Sequence, residues 1–187
     1  MKDNVDTVVL HSELACYEAL PVQWRPVAQP LSHGEASRLD ESNLLLLQAG
    51  VAFEEYPVRD AHDDTGPLAT ELARLDFKIN LVLKMLGTLI DGGNAPAPVP
   101  VRFNARGAAW ESSDAGLKPG SRGVLGIRLL GSLPTSLALE AEITDNDGGT
   151  ITSRFVHVSP AVSELLQKFC FLKHRRQVAE ARSSRGS

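Results

Sequence analysis

Residues 68–89 read LATELARLDFKINLVLKMLGTL, and their apolar side chains recur at alternating spacings of four and three residues. This is the pattern of the a and d positions of a coiled coil, maintained over about three heptads. We refer to the seven residues of this pattern as the seam: Leu68, Leu72, Leu75, Ile79, Val82, Leu86 and Leu89. The seam predicts a long helix that packs against copies of itself.

The ends of this helix are marked by residues that begin and end helices. Pro67 suits the first helical position, and Gly92-Gly93-Asn94 follows the last apolar residue. Leucine predominates at the a positions, which favours three or four strands over two, and we expect four. One alternative stays open, in which the seam packs inside its own chain against the preceding helix.

Composition restricts the class of protein. The 187 residues are 43% hydrophobic, which suits one small domain with an added oligomerisation element. We expect a cytoplasmic protein, because no apolar run is long enough to cross a membrane and residues 1–6 lack the features of a signal peptide. Cys16 and Cys170 show no metal-ligand spacing and are predicted to be free thiols.

Charge is distributed unevenly along the chain. Residues 1–71 hold 13 acidic and 4 basic residues, a net charge of −9, whereas residues 72–187 hold 10 acidic and 15 basic residues, a net charge of +5. The basic half could face an anion or an acidic protein surface. It lacks a dense Lys/Arg face with neighbouring aromatic residues, so nucleic acid is not an expected partner.

The rest of the chain predicts strands and two further helices. Ser32 and Glu35 form a capping-box pattern that begins a helix of about 20 residues. Another helix follows Ser159-Pro160 and is expected to end at the basic cluster 173–176, before a frayed tail from residue 180. Apolar alternation and turn residues predict strands at 20–27, 99–105, 107–112, 122–130, 137–144 and 151–158.

These elements indicate an α+β protein in three parts. Residues 1–31 contribute a strand, residues 32–94 form a two-helix insertion that contains the seam, and residues 95–187 form a small antiparallel barrel with a C-terminal helix. The expected architecture is therefore a six-stranded barrel with two additional long helices, one of which forms an intermolecular coiled coil.

Motifs for catalysis or metal binding are not found. The sequence has no Gly-x-Ser-x-Gly elbow and no phosphate loop. His62 and its neighbouring aspartates fit a solvated acidic loop better than a metal site, and the calcium-loop pattern at Asp145-x-Asp147 fails because Val156 stands where a glutamate is needed. We expect no enzyme, no cofactor and no metal.

The sequence from about Val99 to Val178 resembles the PilZ domain, a small bacterial β-barrel family that binds cyclic di-GMP. The resemblance depends on the order and spacing of four segments: VRFNARGAAW at 101–110, Pro119-Gly120, Arg154-Phe155 and FCFLKHRRQ at 169–177. The segment LACYEALP at 14–21 and the Leu-rich helix resemble an atypical, helix-extended branch of this family. That branch assembles as tetramers through a parallel coiled coil.

The resemblance also identifies a candidate nucleotide site. Ligand-binding members carry two motifs, Arg-x-x-x-Arg before the first strand and Asp/Asn-x-Ser-x-x-Gly after it. The guanidinium groups of the first motif suit a doubly anionic dinucleotide. Here residues 92–100 contain no arginine, and the second motif reads Arg102-x-Asn104-x-x-Gly107. Both motifs are degenerate, so we expect cyclic di-GMP binding to be weak or absent.

The resulting hypothesis is a non-enzymatic tetramer that acts as a scaffold or adaptor in cyclic di-GMP-linked signalling, through a protein partner that the sequence does not identify. The alternative is a direct cyclic di-GMP receptor that uses non-standard basic residues. Its candidate residues are Arg102, Asn104, Arg106 and Gly107, with Arg154 or the cluster 173–176 as further sources of positive charge.

Overall fold

The computed structural model describes residues 14–55, 71–72, 74–75, 77–79, 81–83, 85–86, 96–112, 114, 116–131 and 135–183. Its strands are β1 (Cys16–Pro26), β2 (Pro98–Phe103), β3 (Gly107–Glu111), β4 (Arg122–Ile127), β5 (Leu137–Asp147) and β6 (Thr150–Phe155). Two helices are α1 (His33–Glu55) and α3 (Pro160–Ser183). The helical positions described between 71 and 86 are referred to together as α2.

The six strands form a closed antiparallel barrel in the order β1-β2-β3-β6-β5-β4. Closure depends on the 11-residue β1, whose first half, Cys16–Pro21, pairs with β2 and whose second half, Val22–Pro26, pairs with β4. The predicted six-stranded barrel is confirmed. β1 begins four residues before its predicted start at residue 20, because the weakly alternating segment 16–19 finds a partner in β2.

Alternate side chains of the strands fill the barrel. Val101 and Phe103 of β2 and Leu137 of β5 are fully buried, whereas Arg102 between the first two is partly exposed. The rings of Trp24 and Trp110 stack with centroids 6.1 Å apart. Gly123 leaves space for Trp24, since a Cβ at that position would lie 2.5 Å from the indole ring. The period of two in the sequence therefore identified the core-facing side of the sheet correctly.

Helix α1 begins at the predicted capping box. The backbone N–H of Ser32 donates to Glu35 Oε2 at 2.9 Å, and the N–H of Glu35 donates to Ser32 Oγ at 3.4 Å. The Ser32 hydroxyl, which donates to Glu35 Oε2 at 2.6 Å, and next the Ser32 N–H hold the pKa of the Glu35 carboxyl below its usual value. Gly50, which weakens the helix in isolation, permits close packing here, because an added Cβ would lie 3.0 Å from the Phe169 ring of α3.

Asn43 of α1 covers the side of β5 at Ala138 that β6 does not reach. Its Nδ2 donates to the carbonyl of Ala138 at 2.8 Å, and its Oδ1 accepts from the Ala138 N–H at 2.9 Å. Ala138 pairs with β4 on one side, while β6 begins to pair with β5 only at Ala141. The buried carboxamide therefore takes the place of a missing strand.

Helix α3 begins as predicted, with Ser159 Oγ accepting from the Val162 N–H at 3.2 Å and Pro160 at the first helical position. The predicted end at 173–176 is wrong, because the helix continues to Ser183. Lys173 points back onto the domain, with its Nζ 3.1 Å from Glu18 Oε2 and 3.4 Å from Glu54 Oε1. The helix is thus held to both β1 and α1 through this lysine.

The two cysteines are free and buried, and they are neighbours despite their separation in sequence. Cys16 pairs in register with Phe103, whose carbonyl lies 3.7 Å from Cys170 Sγ. The hydrogen bond with Cys170, and next the burial, raise the pKa of the Cys16 thiol. Both side chains belong to the hydrophobic core between β1 and α3.

Candidate functional site

The seam is exposed wherever the structure describes it. Leu72, Leu75, Ile79, Val82 and Leu86 occupy helical positions of α2, and each is 46–58% accessible to solvent within the chain. Leu68 and Leu89 lie outside the described residues. The alternative in which the chain buries its own seam is not supported at these five positions. Soluble proteins rarely expose a contiguous apolar surface of this kind unless another molecule covers it.

Further apolar side chains lie outside the seam on the same helix. Phe77 is 68% exposed, and Leu81 and Met85 are also exposed. In the heptad register Phe77 occupies position f, on the side opposite the seam, whereas Met85 occupies position g beside it. Apolar surface therefore extends from the seam around part of the helix, and the later turns present the broader face.

The loop between β2 and β3 contains the candidate nucleotide residues. Asn104 begins it and is buried, and its side-chain Oδ1 accepts from the N–H groups of Arg106 at 2.8 Å and Gly107 at 3.2 Å. Its backbone N–H donates to the Gly107 carbonyl at 3.0 Å, which closes the turn. The side chain thus folds the loop. Its Nδ2 atom is buried without a hydrogen-bond partner in the described structure.

Gly107 has a steric role at the start of β3. A Cβ at this position would overlap the carbonyl oxygen of Ser153 on β6. Gly107 pairs in register with Arg154, and the Phe155 N–H donates to the Arg106 carbonyl at 2.7 Å. Only glycine permits this approach of backbone to backbone, so Gly107 has a structural role where β3 meets β6.

A cavity of about 590 Å³ opens beside this loop. Its wall combines a guanidinium group, an ammonium group and an exposed aromatic ring, which are supplied by Arg106, Lys168 and Phe171. The remaining lining residues are Leu14, Asn104, Ala105, Glu164 and Gln167. A volume of this size suits a small-molecule ligand. The basic groups and the ring together suit an anion that carries a flat, stackable group.

Two of the other basic candidates, Arg154 and Lys173, lie elsewhere and are already paired. Arg154 and Arg122 both contact Glu142, with Nη2 to carboxylate distances of 3.3 Å and 3.2 Å respectively. Lys173 of α3 forms ion pairs with Glu18 and Glu54. Burial would lower the pKa of Lys173, but these two carboxylates outweigh it and raise the pKa above its ordinary value. Neither Arg154 nor Lys173 lines the cavity.

The structure therefore places some of the predicted nucleotide-binding residues around one cavity, and it adds further residues to the cavity wall. Asn104 and Arg106 line the cavity, whereas Arg102 lies on β2, opposite Tyr17 of β1. Sequence reasoning missed Lys168 and Phe171, which α3 supplies. Phe171 carries a recognisable signal, since it falls outside the apolar face of Val162, Leu165, Leu166 and Phe169 and is 54% exposed. The acidic segment around His62 lies outside the described residues.

None of the described helices combines the length and apolarity that crossing a lipid bilayer requires.

Comparison with known proteins relates this geometry to a family. No curated protein matches the chain. Among solved structures, the chain is similar to a tetrameric PilZ domain from Xanthomonas campestris, described as self-assembled through an unusual helical bundle. The two share 27% sequence identity and a TM-score of 0.63, over 89% of this chain and 91% of the other. The profile of a family described as "atypical PilZ domain, cyclic di-GMP receptor" matches residues 47–183. The chain therefore belongs to the atypical PilZ domain family, which links it to cyclic di-GMP signalling.

Proposed function

We propose that this protein is a non-enzymatic assembly module of cyclic di-GMP-linked signalling, which acts as a scaffold or adaptor for a protein partner in the cytoplasm. In this proposal, the seams of four copies form a helical bundle, and each copy contributes one barrel. Within the two-helix insertion at residues 32–94, the seam then serves assembly, whereas α1 packs on the barrel unit formed by residues 1–31 and 95–187.

One observation carries the proposal. Five of the seven seam residues are described, and all five are exposed in the single chain. Burial of an aliphatic side chain of this size contributes about 1.5–3 kcal/mol, so a bundle that covers the seam gains a large stabilisation per chain. The Xanthomonas campestris tetramer is described as assembled through a helical bundle, and this supports the same mode of assembly for the present chain.

The ligand motif supports an adaptor rather than a receptor. Arg102 stands where ligand-binding relatives carry an acid or amide, and Asn104 stands where they carry serine. The Asn104 side chain is already engaged with the N–H groups of Arg106 and Gly107. We therefore expect cyclic di-GMP binding to be weak or absent and the partner to be recognised by protein surfaces.

The decisive experiment measures mass in solution. Size-exclusion chromatography with light scattering should give the wild type a mass of four 20.1 kDa chains. Ile79→Asp combined with Leu86→Asp should release monomers, because carboxylates at a positions would be buried without partners. Phe77→Asp is the matched control, since it places the same charge on the opposite side of α2 and should preserve the tetramer. A wild type that is monomeric at micromolar concentration would refute the proposal.

A second candidate function, direct binding of cyclic di-GMP, is favoured by the cavity beside the β2–β3 loop. Arg106 and Lys168 could contact phosphate oxygens there, while Phe171 offers a stacking surface. Lys168 is also 2.8 Å from Glu55 Oε1, so a ligand phosphate would compete with that carboxylate. This competition again favours weak binding.

Calorimetry distinguishes the two functions. Titration of the wild type with cyclic di-GMP should give little or no heat if the protein is an adaptor. A micromolar affinity that is lost in Arg106→Ala or Arg102→Ala, and kept in the exposed control Arg38→Ala on α1, would make the receptor the better assignment. Light scattering with and without the nucleotide then shows whether binding alters assembly.

A further inference from the structure

Glu140 is a buried carboxylate, and one of its oxygen atoms accepts no hydrogen bond from the described residues. It lies on β5, is 6% exposed, and its Oε1 has no hydrogen-bond partner in the part of the chain that the structure describes. Its Oε2 lies 3.6 Å from Nδ1 of His157, which exceeds hydrogen-bond distance. A buried carboxylate oxygen without a hydrogen bond is unfavourable, and such groups in native proteins commonly mark the position of a ligand or ion.

Glu140 lies at the base of an open groove of about 570 Å³. Asp40 and Glu41 of α1 stand at its rim, and His157 and Ser159 bound it from the connection between β6 and α3. The described residues that line this acidic groove include three carboxylates and no lysine or arginine. The groove lies apart from the cavity at the β2–β3 loop, since the two share no lining residue.

The N-terminus of α1 also borders the groove, and its dipole would weaken the attraction for a cation. The Glu35 carboxylate offsets this effect, because it accepts from both the N–H and the hydroxyl of Ser32, at 2.9 Å and 2.6 Å. His157 has a φ of 57°, the left-handed region that residues other than glycine seldom adopt. This conformation holds the imidazole beside Glu140 at the mouth of the groove.

The arrangement suits an organic cation better than a metal ion. The described residues contain no group of three His, Cys, Asp or Glu side chains placed to hold a metal. A guanidinium group does not need three side chains directed at one point, because its planar N–H donors reach carboxylates on two or three sides at once. We propose that the acidic groove binds a guanidinium group, with Glu140 as the buried counter-charge and Asp40 and Glu41 as rim acceptors.

This site is independent of the proposed assembly, and it is tested on the wild-type protein in its native oligomeric state. The probes are N-acetyl-arginine amide, a five-residue alanine peptide with arginine at its centre, and the same peptide with citrulline, the neutral isostere. Titrations are followed by nuclear magnetic resonance of the groove amides. Both arginine probes should bind and the citrulline peptide should not. Tighter binding of the peptide would identify a protein side chain as the source, and equal binding a free small molecule.

Variants assign the interaction to named carboxylates. Glu140→Gln keeps the shape of the side chain and should weaken arginine binding about tenfold or more, because a charge-assisted hydrogen bond is lost. Asp40→Asn with Glu41→Gln alters only the rim, so it provides a second test if the buried change impairs folding. Equal binding of the citrulline peptide, or undiminished arginine binding in both variants, would overturn the proposal.

Discussion

Helices α2 and α3 differ in where their apolar residues lie. In α3, Val162, Leu166 and Phe169 are buried against α1 and the barrel. In α2, Leu72 and Ile79 are exposed within the same chain, although their spacing is at least as regular. Hydrophobic burial is not directional, so a periodic apolar face shows that a helix needs cover without identifying the covering molecule. The comparison therefore separates apolar burial that stabilises the single chain from exposed apolar surface on which the proposed assembly would depend.

The largest expected effect on the chain itself comes from Phe169→Ala in α3. Phe169 is 1% exposed and packs on Gly50, so its truncation should lower the free energy of unfolding by about 3–5 kcal/mol. Denaturant unfolding at two protein concentrations measures this loss, which should be the same at both. Phe171→Ala, on the exposed side of the helix, is the matched control and should change stability by less than about 0.5 kcal/mol. If Phe169→Ala dissociated the proposed tetramer without unfolding the chain, the assignment of α3 to chain stability and α2 to assembly would be contradicted.

An intermediate effect is expected for Asn43→Ala in α1. The substitution leaves the N–H and carbonyl of Ala138 without their side-chain partners and should cost about 1–3 kcal/mol. Hydrogen exchange at the Ala138 amide should accelerate, whereas the exposed neighbour Ser42→Ala should leave it unchanged. Unaltered protection of that amide in Asn43→Ala would show that the Asn43 carboxamide is not what protects it.

A smaller effect is expected for Lys173→Met. Among the described residues, the buried Glu54 carboxylate would keep Arg176, at 3.7 Å, as its remaining charge partner. Loss of a partner from a buried ion pair costs about 3–5 kcal/mol, and we expect about 1–2 kcal/mol here because water still reaches the Lys173 side chain. The exposed control Arg175→Met should be nearly neutral.

The same substitution has a predicted dependence on pH. The pKa of Lys173 is raised above its ordinary value of 10.5, so its contribution is complete below that pH and is lost as the pH rises through the folded-state value. The difference in unfolding free energy between wild type and Lys173→Met should therefore stay constant from neutrality into mild alkali and shrink in strong alkali, as the ammonium group loses its proton. A difference that already shrinks in mild alkali, well below the ordinary pKa of 10.5, would contradict the assignment to Lys173.

Local signals in the sequence were sufficient for most of the fold. Ser32 with Glu35 located the start of α1, Pro160 located the start of α3, and Gly148-Gly149, with φ of 59° and 95°, located the last hairpin. Each of these signals acts within four residues of the feature that it specifies. Period-two alternation likewise identified the strands, although several ends differ by two or three residues.

Signals that depend on distant partners were not visible in the sequence. The basic cluster at 173–176 has the composition of a helix end, yet Lys173 faces Glu18 and Glu54, more than a hundred residues earlier in the chain. Gly50 has the composition of a helix defect, yet it allows the approach of Phe169. The nucleotide motif identified Asn104 and Arg106, while Lys168 and Phe171 reach the same cavity only through tertiary packing.

Closure of the barrel limits how copies of this protein can associate. Every strand has two neighbours, and the uncovered length of β5 at Ala138 is occupied by an amide group. Among the described strands there is no free edge for main-chain addition of a strand from another molecule, the route by which many β-sheets grow into open fibres. In the proposed assembly, the number of subunits would therefore depend on the side chains of α2, so a few substitutions in that helix could evolve a different number of subunits while the sheet stays unchanged.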